Sequence, residues 1–378
     1  MDYAILHLRI MRIRIILTGL FFQGIAMMTF AQTTAPAAVP ANGPASAAKS
    51  KPASSQTADP EDFRVNIGFV YPMSTNGTEA KQYTNHFSLN IIGISGSEVG
   101  FTMAGLTNII LDSASGTQIA GFSNHIYNCA SGVQAAGFLN YTRNNSSGTQ
   151  VAGFMNSTGS NSGVNAAGFG NICRSSSSGV QVAGFINKAG DAGTQVSGFI
   201  NIAKKVKGVQ IAGLINIADS SEYPLAIFNF IKNGEKTIGI STDENLTEMI
   251  SFRSGSRKLY GIASLGYNHK GQRELAAWEA GIGAHFFTSE HFRLNLETVA
   301  SGMTDFKNGD CMIHTLRVLP AWHLSSRIEL YGGPSFNYFY SKKGLGADIV
   351  DHYVWSEIKG AQVKGLYFGV TGGIQVRL

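Results

Sequence analysis

The sequence predicts an all-β chain: a parallel β-solenoid of about eight short coils, followed by a C-terminal antiparallel β-barrel or barrel-like sheet. Two observations carry this. One phrase recurs eight times between Met103 and Ala218, and strands of dyad alternation follow from Lys236 to Leu378. An export-like segment at the N-terminus agrees with both.

The repeat comes first because a short fixed period sets the architecture. Its fullest forms are GVQVAGFIN (Gly179 to Asn187), GTQVSGFIN (Gly193 to Asn201) and GVQIAGLIN (Gly208 to Asn216). Every copy ends in Asn: Asn108, Asn124, Asn140, Asn156, Asn171, Asn187, Asn201 and Asn216, at spacings of 14 to 16 residues. Two places before each Asn stands Leu106, Phe122, Phe138, Phe154, Phe169, Phe185, Phe199 or Leu214, and three places before it always Gly. Four places before is Ala, or Ser197 once. Six places before is Gln in six copies, Asn165 in one and Thr102 in the first.

Side chains alternate across a strand, so unbroken alternation puts Gln, Ala, Phe and Asn on one face. That recurring face is expected to be the interior, with like residues stacked at roughly 4.8 Å and the amides free to form ladders. Each Asn instead has a second reading as the start of a turn, because Asn tolerates the left-handed conformation. The Gly allows a bulge or close approach of the next layer. Polar stretches such as Tyr141 to Ser147 and Ile172 to Ser178 separate the phrases and suit turns. A membrane-spanning strand needs ~9–11 residues, so a period near 16 cannot hold a spanning hairpin. Identical strands must then run parallel, and eight coils make a rod of about 38 Å.

The remaining segments follow in order. Residues 1–31 read as a secretory signal: Arg9, Arg12 and Arg14 precede the apolar run Ile15 to Phe30, and Thr29-Phe30-Ala31 offers small residues for cleavage. Met11 offers a second start. Residues 32–61, rich in Ala, Pro, Ser and Thr, read as a disordered linker. Phe63, Val65, Ile67, Phe69 and Tyr71 alternate with polar residues, so residues 62–92 are expected to supply strands joining the barrel. The solenoid spans 93–232, with Leu225 to Ile231 as a degenerate cap. Residues 233–378 carry the long strands. Phe292, Leu294 and Leu296 oppose Arg293, Asn295 and Glu297; Ile328 and Leu330 oppose Glu329; Leu366, Phe368 and Val370 oppose Thr371. Apolar residues toward lipid and polar ones toward a lumen mark outer-membrane strands. About eight would close a small barrel filled by side chains, with Arg293, Glu297, Arg317 and Glu329 pairing inside. A soluble sheet beside the solenoid is the alternative.

The repeated phrases, Tyr223 to Ser241 and the barrel-like tail resemble bacterial surface-repeat proteins of diderm outer membranes, over roughly residues 62–378. That resemblance implies an exported, surface-associated protein and carries no activity. Outer-membrane barrels usually end in an aromatic residue, whereas this chain ends in Leu378.

Charge and motifs narrow the function. The chain carries +5, and loss of residues 1–31 removes three Arg and one Asp, leaving 26 basic against 23 acidic side chains, or +3. That is no nucleic-acid footprint. Cys129, Cys173 and Cys311 fall at unrelated repeat positions and make no disulfide framework. There is no GxSxG, HExxH, CxxC, phosphate loop or GGxGxD calcium repeat. Between Gly93 and Phe230 the acids are Glu98, Asp112, Asp191, Asp219 and Glu222, none recurring at one repeat position. A non-enzymatic protein without cofactor or metal is therefore expected. His285 and His291 flank a turn and read as lumenal or interfacial residues rather than ligands. Lys204, Lys205 and Lys207 form a basic spot, either a solvated turn or a contact for acidic glycans or lipopolysaccharide phosphates. The expected partners are outer-membrane lipid, the barrel-assembly machinery, and surface glycans or host-matrix ligands. The expected role is a structural or adhesive rod on a small barrel, with a pore or transport component as the alternative.

Overall fold

The computed structural model describes residues 63–270, 274–307 and 309–378. The expected signal peptide and linker lie outside these residues. About 70% of the chain is strand, in two sheets: a parallel solenoid of about ten turns and a closed eight-stranded antiparallel barrel.

A solenoid coil consists of two short strands around a corner and a polar return. Thr117–Ala120 and Ser123–Ile126 make one, Val133–Ala136 and Leu139–Ser146 the next, Thr149–Ala152 and Met155–Asn161 a third. Like residues pair across parallel neighbours: Gln118 with Gln134, Gln134 with Gln150, Asn124 with Asn140 and Asn140 with Asn156. The corner is Ala-Gly-Phe. A Cβ on Gly153 would lie 2.1 Å from the Gly137 carbonyl oxygen, and one on Gly137 2.1 Å from that of Gly121. Successive backbones touch there, so only hydrogen fits, which explains the invariant Gly.

That corner also overturns one expectation. Phe122, Phe138, Phe154, Phe169 and Phe185 are not interior; they are 37–50% exposed. The strand stops at the Gly, the Gly-Phe pair forms the corner with both residues turned outward, and the next strand resumes in the same phase. Gln, Ala and Asn point inward while Gly and Phe turn out. The rings still form a column: successive centroids from Phe122 to Phe199 lie 4.8–5.2 Å apart, with planes within 10° of parallel.

Both solenoid ends extend further than the repeat phrase. Val65–Ile67 pairs in parallel with Thr84–Ser95, which pairs in parallel with Ser97–Ile110. Of residues 62–92, those described, from Phe63 on, thus open the solenoid rather than join the barrel; period-2 alternation reports a half-buried strand and not its partner's direction. At the other end, Phe228–Ile231 pairs with Ile215–Ala218 as a full rung, with Asn229 in the Asn column.

The barrel strands are Glu235–Asp243, Thr247–Gly255, Leu259–Asn268, Leu275–Phe286, Phe292–Thr304, Asp310–His323, Ile328–Ser341 and Gln362–Arg377. Each pairs antiparallel with the next, and the Ile240–Ile374 register closes the cylinder. Its polarity is inverted relative to a soluble protein. Outward side chains include Leu265 at 72% exposure, Phe368 at 70%, and Ile250 at 61%. Buried inward are Arg253, Glu279, Arg293, Glu297, Arg317 and Glu329.

Candidate functional site

Three features could act: the amide core of the solenoid, the barrel lumen, and the surface joining them.

The Asn column is a continuous ladder. Each Asn Nδ2 donates to the Oδ1 of the Asn one coil on, from Asn108 to Asn124 at 2.8 Å through to Asn201 to Asn216 at 3.1 Å and Asn216 to Asn229 at 2.9 Å. The second N–H of Asn124, Asn140, Asn156 and Asn171 goes to the carbonyls of Ala135, Val151, Ala166 and Val182, at 2.7–2.9 Å. Those carbonyls belong to the first strand of the next coil, so the ladder ties the two strands of neighbouring coils together. The turn reading of Asn is thereby displaced. The Gln column joins in part: Gln195 donates to Gln181 at 2.9 Å and Gln210 to Gln195 at 3.0 Å. Near the start of the rod, Glu98 is buried and accepts from Asn85 (3.1 Å), Ser88 (2.8 Å) and Thr102 (2.8 Å). Burial raises its carboxyl above the ordinary carboxylate range, against the pull of those donors.

The polar return carries nearly all the solenoid's charge. Lys204, Lys205 and Lys207 stand exposed there, as do Arg143, Arg174 and Asp191. A second, external ladder runs along this side: Asn144 donates to Asn128 at 2.9 Å and Asn128 to Asp112 at 2.6 Å.

In the lumen the expected charges meet, with partners that sequence reasoning missed. Arg253 Nε (2.9 Å), Arg317 Nε (2.6 Å) and Tyr260 OH (2.9 Å) all donate to the Glu297 carboxylate. Arg317 also grips Glu279 at 2.9 and 3.1 Å. Arg293 bridges Glu329 (2.7 Å) and Glu235 (2.8 Å). Arg253, Glu279 and Glu235 were legible as the polar members of alternating strands, but their pairing crosses strands far apart in sequence. His285 bonds Asn295 at 2.6 Å and stacks on Tyr260, while His291 lies in the turn beyond. No group of three or more His, Cys, Asp or Glu able to hold a metal occurs among the described residues. Cys173 and Cys311 are buried and free, Cys129 partly exposed and free.

The middle of the lumen is filled by the charge network. Above the charge network, a cavity of about 30 Å³ is lined by Ser241, Glu279, Arg317 and Tyr367, room for a few waters. Beyond it, residues 342–354 fold into the mouth, and Leu345, Ile349 and Val350 pack on Leu275, Met303, Phe339 and Tyr367. At the opposite mouth an open hollow of about 530 Å³ is lined by Glu235, Arg257, His291, Arg293, His323 and Arg377.

The solenoid meets the barrel from outside. Asn229, last of the ladder, donates its Nδ2 to the Ser254 carbonyl (3.3 Å), and its backbone N–H to Ser254 Oγ (3.0 Å). Ser254 follows the lumenal Arg253, so its side chain points away from the lumen. Gly261, next to lumenal Tyr260, abuts the carbonyls of Ala226 and Ile227, where a Cβ would lie 2.1 Å from each oxygen. The Ser256 hydroxyl donates to the Glu222 carbonyl at 2.8 Å, and Lys258 donates to Tyr223 OH at 2.7 Å. The exposed edge of the last coil is thus capped by the barrel wall.

No family model matches the chain, and neither a curated protein nor a solved structure matches it.

Proposed function

We propose that this chain is a non-enzymatic outer-membrane protein in which a sealed barrel anchors a rigid solenoid scaffold. The observation that carries the reading is the inverted polarity of the closed barrel, with its buried Arg–Glu network inside and its apolar side chains outside. In water such a surface would aggregate; in hydrocarbon it is the stable arrangement, because a closed barrel leaves no strand edge unpaired. Ring side chains near both rims, Phe286, Phe292 and Trp322 at one and Tyr267, Tyr338 and Tyr340 at the other, suit the membrane interfaces. Lipid and the barrel-assembly machinery are the partners this reading requires. The solenoid's polar return, including Lys204, Lys205 and Lys207, is the face left for other polar contacts.

A pore is the competing reading. The ion-pair network, the small size of the cavity above it and the apolar plug of residues 342–354 argue against it. Planar-bilayer recording of the purified full chain tests the choice. Insertion without conductance steps supports a sealed anchor; steady, solute-sized steps overturn it.

A further inference from the structure

We infer that the solenoid lies along the bilayer surface with its phenyl-bearing side in the lipid interface, so that its ligand is a phospholipid leaflet. The inference rests on the outer-membrane reading above and adds where the rod goes.

The first observation is direction. The amide ladder marks the axis of the rod, and it ends on the backbone of Ser254, on the outer side of the barrel wall near its rim. A rod projecting away from the membrane would leave along the barrel axis. This one leaves sideways, close to the plane in which the lipid must end.

The second is polarity around the rod. Outward positions on either side of the corner are mostly apolar: Val133, Val151, Val164 and Val182 before it, with Thr117, Thr149 and Thr194 among them, the phenyl column at it, and Leu139, Met155, Ile186, Ile200 and Ile215 after it, with Ser123 and Gly170 in that last column. Over about eight coils at 4.8 Å, and a width of roughly 15 Å, this makes an apolar face on the order of 600 Å². That is at the upper end of the largest patch a monomeric soluble protein exposes, where such patches are often functional. Of the charged residues on the coils between Phe101 and Asp219, only Lys188 interrupts that side, and its stem can reach back to water. The others, Asp112, Arg143, Arg174, Asp191, Lys204, Lys205, Lys207 and Asp219, sit on the return.

The third is continuity, and it selects the occupant. Phe228 occupies the same column as Ile186, Ile200 and Ile215, and its ring lies 6.5 Å from that of Phe252. Phe252 points outward from the barrel, one turn of alternation above Ser254. The apolar side of the rod therefore continues at its last coil into the barrel's lipid-facing surface. A second protein seated on the phenyl column would have to meet that same lipid boundary, whereas a leaflet covers both surfaces at once. The two ends of the barrel segment, Glu235 and Arg377, and the turns at 256–258, 287–291 and 324–327 share the mouth beside the rod, while the other mouth carries three connections of three to six residues and the barrel's one long connection, 342–361. Short turns mark the periplasmic side of such barrels, which assigns the rod to the phospholipid inner leaflet. In this position it acts as an amphipathic element of β-structure, the counterpart of an interfacial helix.

Fluorescence quenching by brominated lipids tests this on the full chain. The native thiols are replaced (Cys129→Ser, Cys173→Ala, Cys311→Ala), and an environment-sensitive dye is placed in turn at Leu265→Cys on the barrel, Phe154→Cys on the column and Ser175→Cys on the return. The protein is reconstituted in phosphatidylethanolamine–phosphatidylglycerol vesicles with bromines near the headgroups or deep in the chains. The expected result is quenching at Leu265 by deep bromines, a loss of about half the emission at Phe154 with shallow bromines, and none at Ser175. Quenching at Leu265 with none at Phe154 overturns this inference and leaves the anchor reading standing; a dye at Phe154 that is shielded yet unquenched does the same, by showing a protein partner or second copy there. No quenching at Leu265 overturns both.

Discussion

The solenoid and the barrel each put polar residues inside and apolar ones outside, yet they fill their interiors with different chemistry. The solenoid core is neutral: columns of Asn, Gln and Ala, with Glu98 as a buried acid near its first coils. The barrel lumen is charged, with three Arg gripping Glu297, Glu279, Glu329 and Glu235. Strand direction accounts for the difference. Parallel coils in register place each residue against its own repeat at roughly 4.8 Å, so a charged column would repel itself. A primary amide is both donor and acceptor and can stack on its own copy. Around the barrel, unlike strands face one another, and opposite charges can meet.

Perturbing each interior in its own currency breaks or sharpens that contrast. The largest effect is expected from Glu297→Gln, which strips Arg253 of its only carboxylate partner among the described residues and weakens the hold on Arg317. A broken buried pair costs about 3–5 kcal/mol, read as a lower temperature at which the folded barrel loses its compact electrophoretic mobility. Gly153→Ala comes next. Its methyl would sit 2.1 Å from the Gly137 oxygen, and forcing two coils apart costs about 3 kcal/mol. Limited proteolysis should then cut near residues 144–163 while the barrel stays resistant. Asn156→Ala orphans the Asn140 amide and the Ala166 carbonyl, at about 1–3 kcal/mol, whereas Asn156→Gln, too long for the column, should not rescue it. The smallest effect concerns pH. The folded-state carboxyl of Glu98 is raised by burial, so the native state holds its proton more tightly than the unfolded chain. Its contribution favours folding at acid pH and is lost as pH rises through that raised value. Glu98→Gln should therefore flatten the decline of solenoid melting temperature between acid and neutral pH, and an unchanged profile would count against the assignment.

How much of this was legible follows from the same contrast. Fixed spacing made parallel coils readable, because the Asn at every period had to stack on its own kind. The direction of the phenyl column was not readable. Strict alternation carries Phe154 inward with Gln150 and Asn156, and only the backbone contact between Gly153 and Gly137 reveals that the strand breaks there and that the corner turns Phe154 out. Likewise the alternation of Phe63 to Tyr71 marked a strand but could not tell a parallel neighbour in the solenoid from an antiparallel one in the barrel. Arg293, Glu297, Arg317 and Glu329 were readable as lumenal from period alone. Their triads with Arg253, Glu279 and Glu235 were not, since closing the cylinder brings together strands remote in sequence. The apolar plug of Leu345, Ile349 and Val350 lay in a segment without periodicity and left no signal.

The central claim is that lipid, not water, solvates the outside of the barrel. Nitroxide labels at Ile250→Cys and Phe368→Cys, read by electron spin resonance in liposomes, test it most directly. Lipid contact predicts that dissolved oxygen relaxes both labels more strongly than a water-soluble nickel chelate does. The reverse order at both sites would mean an aqueous surface, and a barrel that does not sit in a membrane.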